Sequence, residues 1–180
     1  MGHRASRQRR DTNGSLSLAR SRVPTPSQTV GPFFGFALPF DNDSEAVDPT
    51  SPGAVRIEGQ LLDGAGEVVG DALLEVSNGN QFARCRTDPE GAFHFTVRKP
   101  AAVRGASAPY LTVTVFARGL LRQLITRIYF PDEEEANRED SVLALVDLSR
   151  RHTLIARQDG QVLNFDIHLQ GDQETVVFAL

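Results

Sequence analysis

The chain has 180 residues, 40% of them hydrophobic, which suffices for one domain-sized core and leaves too little for two. Its formal charge of −4 is uneven: six arginines against Asp11 make the first 24 residues strongly basic, so the remaining body is acidic and unsuited to a nucleic-acid surface. The lone Cys85 forms no internal disulfide, and no run approaches the roughly 18 apolar residues of a membrane span, so the chain reads as soluble and cytoplasmic with no membrane partner.

Residues 1–24 are rich in Arg and Ser and poor in acids, like an organelle transit peptide, but lack the continuous apolar run of a secretory signal. They read as a disordered extension, with an upstream or misassigned start as its origin. Residues 25–52 form an arm and loop. In Thr25-Pro26-Ser27-Gln28-Thr29-Val30-Gly31-Pro32-Phe33 the prolines fix φ and remove backbone donors, so the segment is expected to be an extended strap. Asp41 to Gly53, with acids, Ser and Pro but little periodicity, is expected to be a surface loop.

Residues 53–180 read as strands. Val55, Ile57 and Leu61 alternate with Arg56, Glu58 and Gln60, and Asp63-Gly64-Ala65-Gly66 turns the chain toward Ala72 to Val76, which predicts a hairpin or meander. Phe82 to Thr87 and Ala92 to Val97 flank Asp88-Pro89-Glu90-Gly91, a type I turn signal that predicts a second hairpin. Leu111 to Phe116, Gln123 to Phe130, Leu163 to Leu169 and Thr175 to Phe178 are further strand candidates. One short helix is expected after Pro131, where Asp132 to Glu135 place negative charge on its N-terminal end. Many short strands with one short helix predict an all-β fold, an antiparallel β-sandwich.

The arm, together with Asp63-Gly64-Ala65-Gly66, Leu74-Glu75-Val76, Phe116-Ala117-Arg118-Gly119, Thr126-Arg127-Ile128-Tyr129-Phe130, Thr153-Leu154-Ile155-Ala156 and Asn164-Phe165-Asp166-Ile167, resembles the α-type subunits of intradiol ring-cleaving dioxygenases. The fragments stand in that family's order, and the resemblance runs through about residues 53 to 180. It implies the same sandwich fold and a hetero-oligomer with an iron-bearing β subunit. There, Fe(3+) held by two tyrosinates and two histidines would promote cleavage of protocatechuate by O2 to 3-carboxy-cis,cis-muconate.

The resemblance also implies that this chain holds no iron and has no catalytic residue. Tyr110-Leu111-Thr112 stands where the catalytic chains carry two histidines two residues apart, Ser107 replaces their arginine, and Arg127 replaces their active-site glutamine. Only two tyrosines exist, and Tyr129 reads as a packed ring with a solvated tip. The family's long tyrosine-bearing loop after Leu74-Glu75-Val76 is cut here to Ser77-Asn78-Gly79-Asn80.

What the resemblance leaves to this chain is pocket wall. Thr29, Gly31, Pro32 and Phe33 would line the mouth of the partner's site, Phe33 standing where α subunits usually have tyrosine; the competing reading is a clasp between subunits. Arg118 would favour an anionic aromatic acid, and the competing reading pairs it with one of the chain's own carboxylates. His152 and His168 read as exposed or partner-facing strand residues, and Cys85 as a structural thiol. The alternative function is a stand-alone β-sandwich binding module that has lost its catalytic partner.

Overall fold

The computed structural model describes residues 34–101 and 107–179. The basic extension and the Thr25 to Phe33 strap lie outside the described residues. Nine strands follow a single helical turn, α1 (Phe34–Ala37): β1 (Ala54–Leu62), β2 (Leu73–Asn78), β3 (Gln81–Arg86), β4 (Ala92–Arg98), β5 (Tyr110–Phe116), β6 (Leu124–Tyr129), β7 (Arg157–Asp159), β8 (Val162–Asn164) and β9 (Ile167–His168). They form two sheets, one ordered β4-β1-β8-β7 with β9 also on β1, the other β3-β2-β5-β6.

Alternation along each strand turns one face inward. Ile57, Leu61, Phe93, Phe95, Leu163, Phe165 and Ile167 of the first sheet meet Leu74, Val76, Ala83, Leu111, Val113, Val115 and Ile128 of the second, giving one sandwich core. Cys85 belongs to that core, and burial pushes its thiol pKa up, so it is a structural sulfur.

Four expectations are corrected. Neither predicted hairpin forms: β1 and β2 lie in opposite sheets, as do β3 and β4. The turns themselves are present, Asp63 N–H donating to Glu67 O at 2.9 Å and Gly91 N–H to Asp88 O at 2.9 Å, but each carries the chain across the sandwich. Alternation identifies the buried face of a strand without saying whether its successor lies beside it or opposite it. The tight hairpin is instead β2–β3, closed by Gly79 and Asn80 with Gly79 at φ 48°.

The expected sandwich is mainly antiparallel, with β1 also running parallel to β8 and β9; second, one of its expected strands is interrupted. The expected Leu163 to Leu169 strand breaks at Phe165 and Asp166, where the Asp166 carboxylate accepts the Gln60 N–H at 3.1 Å in place of a ladder carbonyl. Gly59 makes room for this break, since a Cβ there would stand 1.9 Å from the Phe165 carbonyl oxygen. Third, the single predicted helix is two, α2 (Glu134–Glu139) and α3 (Ser141–Leu145). Asp140 ends the first and caps the second, accepting from Val142 and Leu143 N–H. Asp132 and Glu133 pair with Lys99. Fourth, Thr175 to Phe178 forms no strand, although Phe178 N–H donates to Ile125 O at 2.8 Å.

The Asp41 to Gly53 loop closes one side of the sandwich. Arg84 of β3 donates its N–H to Asp43 O at 2.6 Å and Thr96 of β4 donates to Ser44 O at 2.9 Å, so one loop covers the edge strands of both sheets.

Candidate functional site

The outer face of the second sheet carries the residues that the sequence singles out. Outward-pointing Tyr110, Thr112 and Phe116 of β5 alternate with buried Leu111, Val113 and Val115, and the ladder sets Tyr110 opposite Tyr129 and Thr112 opposite Arg127. A second small core of Ala108, Tyr129, Leu143 and Leu154 lies at this end, with Tyr110, Ala136 and Phe178 packed against it.

Arg127 is at the centre of that cluster. Its guanidinium lies 3.9 Å from the Tyr110 ring centroid and 5.2 Å from that of Phe178, and its Nη1 donates to Tyr129 Oη at 3.0 Å. Tyr129 is fully buried, so its tip is not solvated as expected; its hydroxyl donates to Asp140 Oδ1 at 3.2 Å. Asp140, 1% exposed, also accepts from the backbone N–H groups of Val142, Leu143 and Ala108. Burial, with the Asp140 carboxylate beside it, pushes the Tyr129 pKa up to about 12 although Arg127 pulls the other way.

These residues do not fit an iron centre. Tyr129 keeps its proton and spends it on Asp140, and the Tyr110 ring lies under a guanidinium. Among the described residues no histidine joins them: His94 meets Ser44 Oγ at 3.1 Å on the first sheet, while His152 and His168 line a separate cleft with Arg157 and Asp166. Among the described residues no group of three His, Cys, Asp or Glu side chains converges as a metal site. His152 also sits in a 3-10 turn, Arg151–Leu154, rather than on a strand.

Arg118 occupies the opposite end of β5. Ala117 and Gly119 flank it, Gly119 with φ 92°, and its Nη2 lies 2.7 Å from Asp71 Oδ2, with the arginine side chain 67% exposed and the aspartate 22%. Phe34, directly after Phe33, is buried against Phe116 with ring centroids 6.1 Å apart, and a Cβ at Gly35 would stand 3.6 Å from Arg86 Nε and 3.9 Å from the Asp71 carbonyl oxygen. Phe34, Phe116, Ala117, Leu120 and Leu121 line an apolar cleft here. The chain following the strap and Arg118 therefore share one corner of the second sheet. Thr29, Gly31, Pro32 and Phe33 themselves lie outside the described residues. Asp71 and Phe34 carried no functional signal in the sequence, since neither sits in a chemistry-bearing motif.

Comparison with known proteins places this arrangement. The chain is 39% identical over 189 aligned residues to the protocatechuate 3,4-dioxygenase alpha chain of Burkholderia cepacia, covering 86% of this chain and 96% of that one. It is 36% identical to the alpha chain of the same name from Pseudomonas putida, covering 86% and 95%. Among solved structures, the dioxygenase domain of a dioxygenase carbohydrate-binding protein fusion from Streptomyces sp. SirexAA-E shares the fold, with a TM-score of 0.55 and 24% identity over 83% of this chain and 99% of that one. An intradiol ring-cleavage dioxygenase from Tetranychus urticae does so too, with a TM-score of 0.52 and 14% identity over 72% and 86%. No family model matches the chain. Near-full-length likeness to two alpha chains, on a sandwich shared with ring-cleaving dioxygenases, shows that the chain belongs to the protocatechuate 3,4-dioxygenase alpha chain family.

Proposed function

We propose that this chain is the noncatalytic α subunit of a protocatechuate 3,4-dioxygenase and shapes the pocket of a β subunit that holds the iron. The observation that carries this reading is Tyr129: in a member of the family, one of only two tyrosines is sealed as a neutral phenol between Arg127 and Asp140. The ferric ion of the β subunit would supply the chemistry that lets O2 cleave the ring to 3-carboxy-cis,cis-muconate. This chain's residues would bind, orient and enclose the substrate.

Two elements would do so. The Thr29, Gly31, Pro32 and Phe33 arm would wall the pocket, with Gly and Pro permitting close backbone approach. Arg118 would attract the ring carboxylate; its support is its place beside Phe34, where the chain following the arm joins the body. Because the Arg118 head is largely exposed, its ion pair with Asp71 is weak enough to be shared with or exchanged for a substrate carboxylate. The alternative of a stand-alone binding module is disfavoured by the family and by coverage of 95–96% of the two alpha chains.

Co-expression with the β chain of a protocatechuate 3,4-dioxygenase tests the proposal. The expected result is co-purification of the two chains as one complex that cleaves protocatechuate, with neither chain alone doing so at a comparable rate. A β chain fully active and stable without this one would contradict it.

A further inference from the structure

Four half-buried arginines are described, and three are matched: Arg56 holds Glu58, Arg84 holds Glu75 through two nitrogens, and Arg151 donates to the Val146 and Ala144 carbonyls. Among the described residues Arg127 meets the Tyr129 phenol and the ring faces of Tyr110 and Phe178. Among the described residues no carboxylate lies within 4.0 Å of it, in a chain whose acids outnumber its Lys and Arg by 23 to 19. The nearby Asp140 is committed, being buried and already accepting the Tyr129 hydroxyl and three backbone N–H groups.

We infer that Arg127 is a carboxylate receptor on the outer face of the second sheet. A guanidinium presents five donors in a planar fork, and one hydrogen bond to a neutral phenol leaves most of that capacity unused in a setting that water reaches only partly. The rings of Tyr110 and Phe178 stiffen the fork, and Tyr129 anchors one of its nitrogens to the Asp140 capping site. Such a site takes a planar anion better than a neutral group of the same shape. The carboxylate comes from a free small acid or from an Asp or Glu of the partner chain; the recognition chemistry is the same.

The composition provides a local probe. The chain has two tyrosines and no tryptophan, and both tyrosines touch this guanidinium, so its intrinsic emission reports the site. Titrating the full chain with propionate at constant ionic strength is expected to change tyrosine emission saturably, whereas propionamide and chloride are not. Arg127→Gln is expected to raise the half-saturating propionate concentration about tenfold or more, and Arg127→Lys, which keeps the charge but not the fork, to fall between. Repeating the titration on the complex, read as the difference between the native chain and Arg127→Gln because the partner brings its own tyrosines, separates the sources. Loss of the response on assembly, together with looser assembly of Arg127→Gln, assigns the carboxylate to the partner; a response kept in the complex assigns it to a free acid. An equal response to propionamide, or an unchanged response in Arg127→Gln, overturns the inference. So does no response in the free chain with normal assembly of that variant. If Arg127→Gln does not fold, the contrast between propionate and propionamide on the native chain decides the matter.

Discussion

Replacing Arg118 by alanine separates pocket wall from scaffold, because the two roles predict effects of different size in different assays. The ion pair with Asp71 has an arginine head 67% exposed, which limits it to about 0.2–1 kcal/mol of stability. For a domain of this length that is a Tm loss of at most about 4 °C. A hydrogen bond from the same guanidinium to a substrate carboxylate is charge-assisted and would be worth about 1.5–3 kcal/mol, roughly 10- to 150-fold in kcat/KM. The assay is steady-state cleavage by the assembled complex of protocatechuate and of catechol, which lacks the carboxylate. Arg118→Ala should lower kcat/KM for protocatechuate by that factor and leave catechol within about threefold. Asp71→Asn, which frees the guanidinium without removing it, should leave protocatechuate use unimpaired. Equal losses on both substrates, or a complex that fails to assemble, would assign Arg118 to structure rather than to the pocket.

Three further outcomes are expected. Phe33→Tyr, which gives the proposed pocket wall a hydroxyl, should alter substrate kinetics without changing assembly, as measured by kcat/KM and size-exclusion chromatography. Tyr129 has a pKa near 12 when folded against about 10 when unfolded, so the unfolded chain loses this proton first and stability should fall between pH 10 and 12, by on the order of 2 kcal/mol. Urea melts across that range should show the slope in the native chain and a flatter one in Tyr129→Phe. Gly59→Ala drives a Cβ to within 1.9 Å of the Phe165 carbonyl, where backbone cannot yield cheaply, and should cost more than about 2 kcal/mol or leave the chain insoluble.

The buried faces were legible in the sequence because period-two alternation reports burial directly, as at Leu111, Val113 and Val115 or Leu163, Phe165 and Ile167. Strand partners were not: the Asp63 and Asp88 turns are specified by local chemistry, whereas crossing the sandwich is decided by contacts far along the chain. The break at Asp166 was hidden for the same reason, since it depends on Gly59 and Gln60 in another strand. Arg127 and Tyr110 were visible as departures from the catalytic pattern. Their stacking was not, because it draws on Phe178, fifty-one positions further on, and on Asp140, whose capping role splits what reads as a single acidic helix start.

The central claim is tested most directly by the iron content and visible absorption of the chain purified alone, beside the same measurements on the complex with its β partner. The chain alone should be colourless with no stoichiometric iron, because its described phenols and imidazoles do not converge, and the complex should be coloured, with tyrosinate-to-iron absorption in proportion to the β chain. A coloured, iron-loaded chain that cleaves catechols without any partner would contradict it.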